Sequence, residues 1–239
     1  MAAGAWLKPL ADARRPAPRH AERMTRFALH RYGSGARLYD MLSLERPVYR
    51  VGRARGVDLL GLRHGDRVLD VGSGTGLSLP SLRRAVGERG KLVGVDASAQ
   101  MLAIARRRIA AQGWTDVDLR CGDAAHLETL LRSGESFDAV LFVYALSVIT
   151  DWERAWDGAV AALRPGGRVL IVDLALPIGW GRLLSPLARF ACFVGGSDPR
   201  REPWRRLFEC APDAVHAIAR CGHIHLAVGT PVQAPKAAA

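Results

Sequence analysis

Val68-Leu-Asp-Val-Gly-Ser-Gly-Thr-Gly76 is the stretch on which the reading of this chain turns. Arg67 to Val71 predicts a short buried strand, and the glycines after it predict a tight loop that opens into a helix from about Leu77. Glycine carries no Cβ, so such a loop lets backbone N–H groups and a helix N-terminus approach a ligand closely. The spacing departs from the dinucleotide pattern G-x-G-x-x-G, because Leu77 stands where its third glycine would be. Asp70, two residues before Gly72, would also repel a pyrophosphate. It suits a ligand with a positively charged end.

Strand-like and helix-like stretches alternate on either side of the loop. Strands are predicted at Arg67–Val71, Lys91–Val95, Val117–Cys121, Phe137–Val143 and Gly167–Leu174. Helices are predicted at Leu77–Val86, Ala99–Gln112, Ala124–Leu131 and Trp152–Leu163, with Arg46–Leu60 as a further helix before the first strand. Pro165-Gly166-Gly167 reads as the turn into the fifth strand. Val215 to Gly229 supplies two more strands about a Cys221-Gly222 turn, or a helix over Val215–Arg220 in place of the first. Such alternation builds an α/β fold with a parallel sheet and helices on both faces.

Chemistry-bearing residues fall at the predicted strand ends, where open α/β sheets bind ligands. Gly94-Val-Asp-Ala-Ser98 ends the second strand, and Asp96 lies 20 residues after Gly76. A carboxylate there can accept from both ribose hydroxyls of a nucleoside, whereas its bland role is helix capping, which Ser98 fills better. Met101 follows on the first helical turn, as core filler or ligand contact. Gly122-Asp123-Ala124 ends the third strand, with Asp123 as ligand residue or helix cap. Tyr144 follows the fourth.

D-x-G-x-G-x-G over Asp70–Gly76, Asp96, Gly122-Asp123-Ala124, the F-D-x-V opening at Phe137 and Leu163-Arg-Pro-Gly-Gly167 together resemble the class I S-adenosylmethionine (SAM) methyltransferases, of the UbiE-like superfamily, over about residues 66–174. The resemblance implies a Rossmann-like, seven-stranded, mostly parallel sheet. It implies SAM as cofactor, S-adenosylhomocysteine as product and no metal. The SAM ammonium and sulfonium fit the charge of Asp70. On this resemblance the cofactor residues are Asp70, Gly72, Ser73, Gly74, Gly76, Asp96, Ala97, Met101, Gly122, Asp123, Ala124 and Tyr144. Asp123 and the Ala124 N–H would meet adenine, with Met101 packed on it. The reaction is an in-line displacement that rests on positioning, desolvation and an unprotonated nucleophile, so a catalytic triad is not expected.

Arg31-Tyr-Gly-Ser-Gly-Ala-Arg-Leu-Tyr-Asp40 and Tyr49-Arg-Val-Gly-Arg53 resemble the N-terminal cap of bacterial phospholipid and betaine-lipid N-methyltransferases. A similar cap occurs in quinone C-methyltransferases. Tyr144 to Glu153 is closer to the betaine-lipid enzymes. The resulting expectation is N-methylation of a lipid or small-molecule amine. Tyr32, Tyr39 and Trp152 are the substrate candidates, and Tyr39 and Tyr144 the positioning candidates. Aromatic faces hold onium groups with about 0.5–2 kcal/mol each; plain core packing is the competing role for each ring. C-methylation of a prenylated quinone, O-methylation of a small molecule, and a non-catalytic SAM-fold protein on anionic membrane or RNA remain as alternatives. No N-P-P-[YF]-type motif follows the fourth strand, which disfavours nucleic acid as acceptor.

The 239-residue chain carries a net charge of +11. Residues 1–67 hold 14 Lys/Arg against 6 Asp/Glu, so most of the excess precedes the loop. A basic face suits acidic partners such as anionic lipid, and equally a solvated surface. The expected organisation is a basic flexible segment over 1–24, a helical cap over 25–65, the methyltransferase domain over 66–230, and a tail over 231–239. An acceptor or cover insertion is expected at about 176–212 within the domain. Inside it, Trp180 to Val194 is apolar with Arg182 and Arg189 interspersed. That pattern fits an interfacial segment or a buried cover helix, and Pro186 argues against one regular helix. Arg200, Arg201, Arg205 and Arg206 around Trp204 face lipid phosphate or water on the same reading. His223 and His225 alternate on a strand pattern and are expected as a surface pair. Four cysteines without metal or redox spacing, and no apolar run of the roughly 18 residues a membrane span needs, suit a reduced cytoplasmic chain, peripheral at most to the inner face of a membrane.

Overall fold

A computed structural model describes residues 49–232. The basic segment 1–24, Tyr32, Tyr39, most of the cap and nearly all of the tail lie outside the described residues. Seven strands form one sheet: β1 (Arg67–Val71), β2 (Lys91–Asp96), β3 (Val117–Cys121), β4 (Phe137–Val143), β5 (Leu163–Leu174), β6 (Val215–Ala219) and β7 (Ile224–Gly229). Their order is β3-β2-β1-β4-β5-β7-β6. β1 to β5 run parallel, and β7 pairs antiparallel with both β5 and β6. The carboxyl ends of β1–β5 therefore share one rim. The helices are α1 (Arg50–Leu60), α2 (Leu79–Val86), α3 (Ala99–Ala111), α4 (Leu127–Leu130), α5 (Trp152–Ala161), α6 (Ser185–Gly195) and α7 (Trp204–Cys210).

Alternate strand residues feed two apolar layers, as the two-residue period of a strand requires. Leu69, Val71, Val140, Phe142 and Ile171 pack with Leu127, Trp156 and Leu207 of α4, α5 and α7. Val68, Leu92, Leu141, Val143 and Val172 pack with Leu60 of α1 and with Leu79 and Leu82 of α2. Both faces are covered, so the central strands read as near-continuous apolar runs. Each large side chain so buried contributes about 1.5–3 kcal/mol.

Several boundaries differ from the sequence reading for local reasons. α2 starts at Leu79, two residues late, because Pro80 sits in its first turn, where its missing N–H costs nothing. The stretch after β3 divides into a 3-10 turn, Ala124–His126, and the short α4. α5 ends at Ala161, two residues early. β5 begins at Leu163, which pairs with Phe137, and Pro165-Gly166-Gly167 is absorbed as a register shift before Arg168 meets Ala139. Val215–Ala219 is a strand, not a helix; Arg220, Cys221 and Gly222 all take positive φ in the turn to β7. Pro186 likewise occupies the first turn of α6, preceded by a 3-10 stretch at Gly179–Leu184, so it starts a regular helix and does not break one.

α1 lies on β5 and β7 through two glycines. A Cβ at Gly52 would collide with the Tyr144 hydroxyl and come within 2.7 Å of Ile224; one at Gly56 would come within 2.7 Å of Val172. Gly52→Ala should therefore destabilise the fold by about 1–3 kcal/mol through overpacking. An unchanged urea midpoint would show that α1 does not seat this closely.

Candidate functional site

The chain leaves β1 for β2 and β3 on one side, then returns to β4 on the other. Such a reversal opens a crevice at the carboxyl ends of β1 and β4. The two exit loops meet there: a Cβ at Gly72 would lie 2.6 Å from the Cβ of Ala145. Gly72, Gly74 and Gly76 have φ of 75°, 53° and 76°, values that side chains disfavour. The N–H groups of Gly72 and Ser73 both donate to the Val95 carbonyl, at 2.8 and 3.0 Å. Beyond Gly74 the space is open, with nothing within 4 Å of where a Cβ would stand.

Asp70 faces Gly94 across the β1–β2 register and is 2% exposed. Its Oδ2 is buried without a hydrogen-bond partner, and so is the Oγ of neighbouring Ser73. Burial pushes the Asp70 carboxyl up to about 7; the Arg53 guanidinium opposes this and the Asp96 charge adds to it. Arg53, on α1, donates to the Ser78 Oγ at 3.0 Å and stands over the Tyr144 ring.

Asp96 ends β2 and is half-buried. Its Oδ2 accepts from the Gly74 N–H and its Oδ1 from the Ser98 N–H, each at 2.8 Å. Burial raises its carboxyl above the ordinary range, and those two bonds work against the rise. The bonds leave lone pairs over on both oxygens. Ser98 is the N-cap of α3, accepting from the Met101 N–H at 3.3 Å. Met101 is buried on the first turn, while Ala97 is exposed.

The Gly122 N–H donates to the Asp96 carbonyl at 3.0 Å, which ties the β3 exit to the β2 exit. Asp123 caps the turn after it, accepting from the Ala125 N–H at 2.9 Å. Its side chain is 63% exposed, with Oδ2 3.8 Å from His126 Nδ1. The capping role is thus realised, with one oxygen remaining toward solvent. Ala124 is buried beside it.

Tyr144 takes a φ of 57°, held by its N–H to the Val172 carbonyl at 2.7 Å. Its hydroxyl donates to the Tyr49 carbonyl at 2.8 Å, and the two rings lie 5.2 Å apart. Tyr144 therefore bridges the β4 exit to α1. Trp152 is half-buried at the start of α5 and packs on the core. Tyr32 and Tyr39 lie outside the described residues.

Three features were not anticipated. Arg53 entered the sequence reading only as part of a cap pattern. Asp173, fully buried at the end of β5, accepts from the Ser147 Oγ and N–H at 2.6 and 2.9 Å and from the Leu174 N–H at 2.9 Å. Burial pushes its carboxyl up to about 6 against those bonds. Ser147 continues to Ser197 at 3.1 Å, and Arg201 donates to the carbonyls of Leu146 and Ile149 at 3.0 and 2.7 Å. The β4 exit, the β5 end and the insertion are stitched together by this network. Its one sequence signal was a carboxylate ending the apolar run Leu170-Ile-Val-Asp173. His223 and His225, expected as a surface pair, do not share a face. His223 is buried, bonded to the Ala175 carbonyl at 2.6 Å and set against Tyr49. His225 stacks on Trp204 at 4.0 Å and reaches His216 at 3.0 Å. The cause is that β7 begins only at Ile224, leaving His223 in the preceding turn.

A buried carboxylate oxygen and a buried hydroxyl without partners, beside a glycine loop open to solvent, fit a polar ligand with a cationic end. Residues 68–167 match the family described as "Methyltransferase domain". The chain is 32% identical over 149 residues to the ubiquinone/menaquinone biosynthesis C-methyltransferase UbiE of Hahella chejuensis, a match covering 61% of this chain and 59% of that protein. It is 31% identical over 160 residues to the UbiE of Yersinia enterocolitica, covering 66% and 61%. The chain thus spans about three fifths of the length of the curated relatives it matches. Among solved structures, a SAM-dependent methyltransferase from Aquifex aeolicus superposes with a TM-score of 0.57 at 17% identity, covering 79% of this chain and 95% of that one. The methyltransferase SibL does so with 0.58 at 22%, covering 81% and 57%. The fold is that of the class I methyltransferases, and residues 68–167 form a SAM-dependent methyltransferase domain similar to that of the UbiE relatives. Its cofactor is SAM.

Asp70→Asn separates the stability of the site from its use. A carboxyl raised from 3.8 to about 7 gives stability that is present below the lower value and lost as pH rises through the upper. The cofactor-free variant should therefore melt higher than wild type at pH 8, with a flatter pH profile between 4 and 7. SAM affinity should fall about tenfold or more with the lost charge. Equal pH profiles of the melting temperature would contradict the assignment.

Proposed function

We propose that the protein transfers the methyl group of SAM to the nitrogen of a lipid or small-molecule amine. Within this reading Asp70 receives the cationic amino-acid end of the cofactor and Asp96 its ribose hydroxyls. Asp123, the Ala124 N–H and Met101 take the adenine. The roles follow the resemblance, and the buried, unpartnered Asp70 Oδ2 is the observation that carries the cofactor half of the reading.

For the acceptor, support comes from the aromatic corner at the β4 exit. Tyr144 is half-buried at the β4 exit, backed by the buried Tyr49 ring and with the Arg53 guanidinium over its face. The Tyr144 hydroxyl and N–H are both committed to backbone carbonyls, so the ring is held in place. A held ring positions and desolvates an amine nucleophile without acid–base chemistry of its own. The chemical demand on the protein is then small: keep the nitrogen unprotonated, in line with the methyl group, and dry. A second reading, C-methylation of a prenylated quinone, is favoured by the activity named for the UbiE relatives.

Methyl transfer from labelled SAM distinguishes the two. The panel is phosphatidylethanolamine, its monomethyl form, a betaine-lipid precursor, demethylated quinones and RNA. Label in an amino lipid is the expected result. Label only in quinone would replace the first reading by the second, and no label with SAM bound would remove the lipid-amine and quinone acceptors.

A further inference from the structure

The segment between β5 and β6 presents apolar groups to solvent on a scale found nowhere else among the described residues. Trp180 is 75% exposed, Leu183 86%, Phe190 64% and Phe193 56%. Ile178, Leu184 and Leu187 are more than half exposed as well. Contiguous apolar surface of this kind marks an interaction site.

The segment is not loose. The Ile178 N–H donates to the Cys221 carbonyl at 2.8 Å, and Gly181 packs so closely on Cys221 that a Cβ would come within 2.6 Å. α6 seats through small residues, with Ala188 and Cys192 buried. Leu187, Phe190 and Phe193 leave the helix on the opposite side, as helical spacing dictates. The small face of α6 thus covers the core, and its large face is turned outward.

Charge selects the partner. No carboxylate lies between Asp173 and Asp198, and the exposed charges among the apolar groups are Arg182 and Arg189. Trp and Phe interleaved with Arg is the composition that settles at the headgroup level of a bilayer. The segment begins just past Leu174, at the end of β5, on the rim shared by the carboxyl ends of β1–β5.

We infer that the outer face of residues 178–193 is a docking surface for an anionic bilayer, which seats the rim of the cofactor site against the membrane. The inference does not depend on which acceptor the enzyme methylates, since it is read by binding alone.

The test is partition of the full chain onto phosphatidylglycerol/phosphatidylcholine vesicles and onto phosphatidylcholine vesicles, with SAM binding measured in parallel. Wild type should prefer the anionic vesicles. Leu183→Ser/Phe190→Ser/Phe193→Ser should lose about tenfold or more of the partition with SAM binding unchanged. Arg182→Gln/Arg189→Gln, which leaves the apolar face intact, should lose about fivefold per arginine on anionic vesicles and nothing on neutral ones. Wild-type partition by both variants would overturn the inference. So would a wild type that ignores vesicles but forms a dimer that the triple variant abolishes, since the face would then join two copies.

Discussion

A carboxylate enclosed at the end of a central strand, with one buried oxygen that accepts no hydrogen bond, governs the rest of this structure. Asp70 is walled in by β2 and by the glycine loop, and the nearest compensating charge, Arg53, only partly offsets the cost of burial. An unsatisfied buried acceptor costs a protein about 1–3 kcal/mol, and more if charged. The fold sustains that cost because β1 is the middle of a parallel sheet covered on both faces. The site therefore presents a buried acidic group of defined sign, and the loop glycines give a ligand access to it.

The other contacts hold that group in place. Asp96 fastens the Gly74 N–H, the Gly122 N–H fastens the Asp96 carbonyl, and Gly72 rests on Ala145. The exits of β1, β2, β3 and β4 form one connected rim. On the far side, Asp173, Ser147, Ser197 and Arg201 attach the insertion to the same rim. A single rigid edge therefore carries the cofactor loop, the aromatic corner of Tyr49 and Tyr144, and the outward apolar face of α6.

Much of this was legible in the sequence, and the limits have physical causes. β1, β2, β4 and β5 were readable because a strand buried on both faces must be largely apolar, and Asp70 and Asp96 stood out as carboxylates at the ends of such runs; β3, a half-exposed edge strand with Asp118 and Arg120, was marked by its place in the alternation. Ser98 was recognisable as a cap from local chemistry. What failed to register depended on distance in space. Arg53 is separated from Ser78 by 25 residues, and Ser197 from Ser147 by 50, so no local pattern reports either pair. Pro186 was read as a breaker, although a first helical turn accepts proline. His223 and His225 were read as one strand face because the turn marked by Cys221-Gly222 runs one residue further, through His223.

The most direct test of this account is the proton balance of SAM binding, measured by calorimetry at pH 6 in buffers of differing ionisation enthalpy. If a carboxyl raised to about 7 receives the cationic end of the cofactor, wild type releases a proton on binding at that pH and Asp70→Asn does not. A wild-type enthalpy independent of buffer would mean that Asp70 does not change its protonation on binding, and the central role given to it here would be wrong.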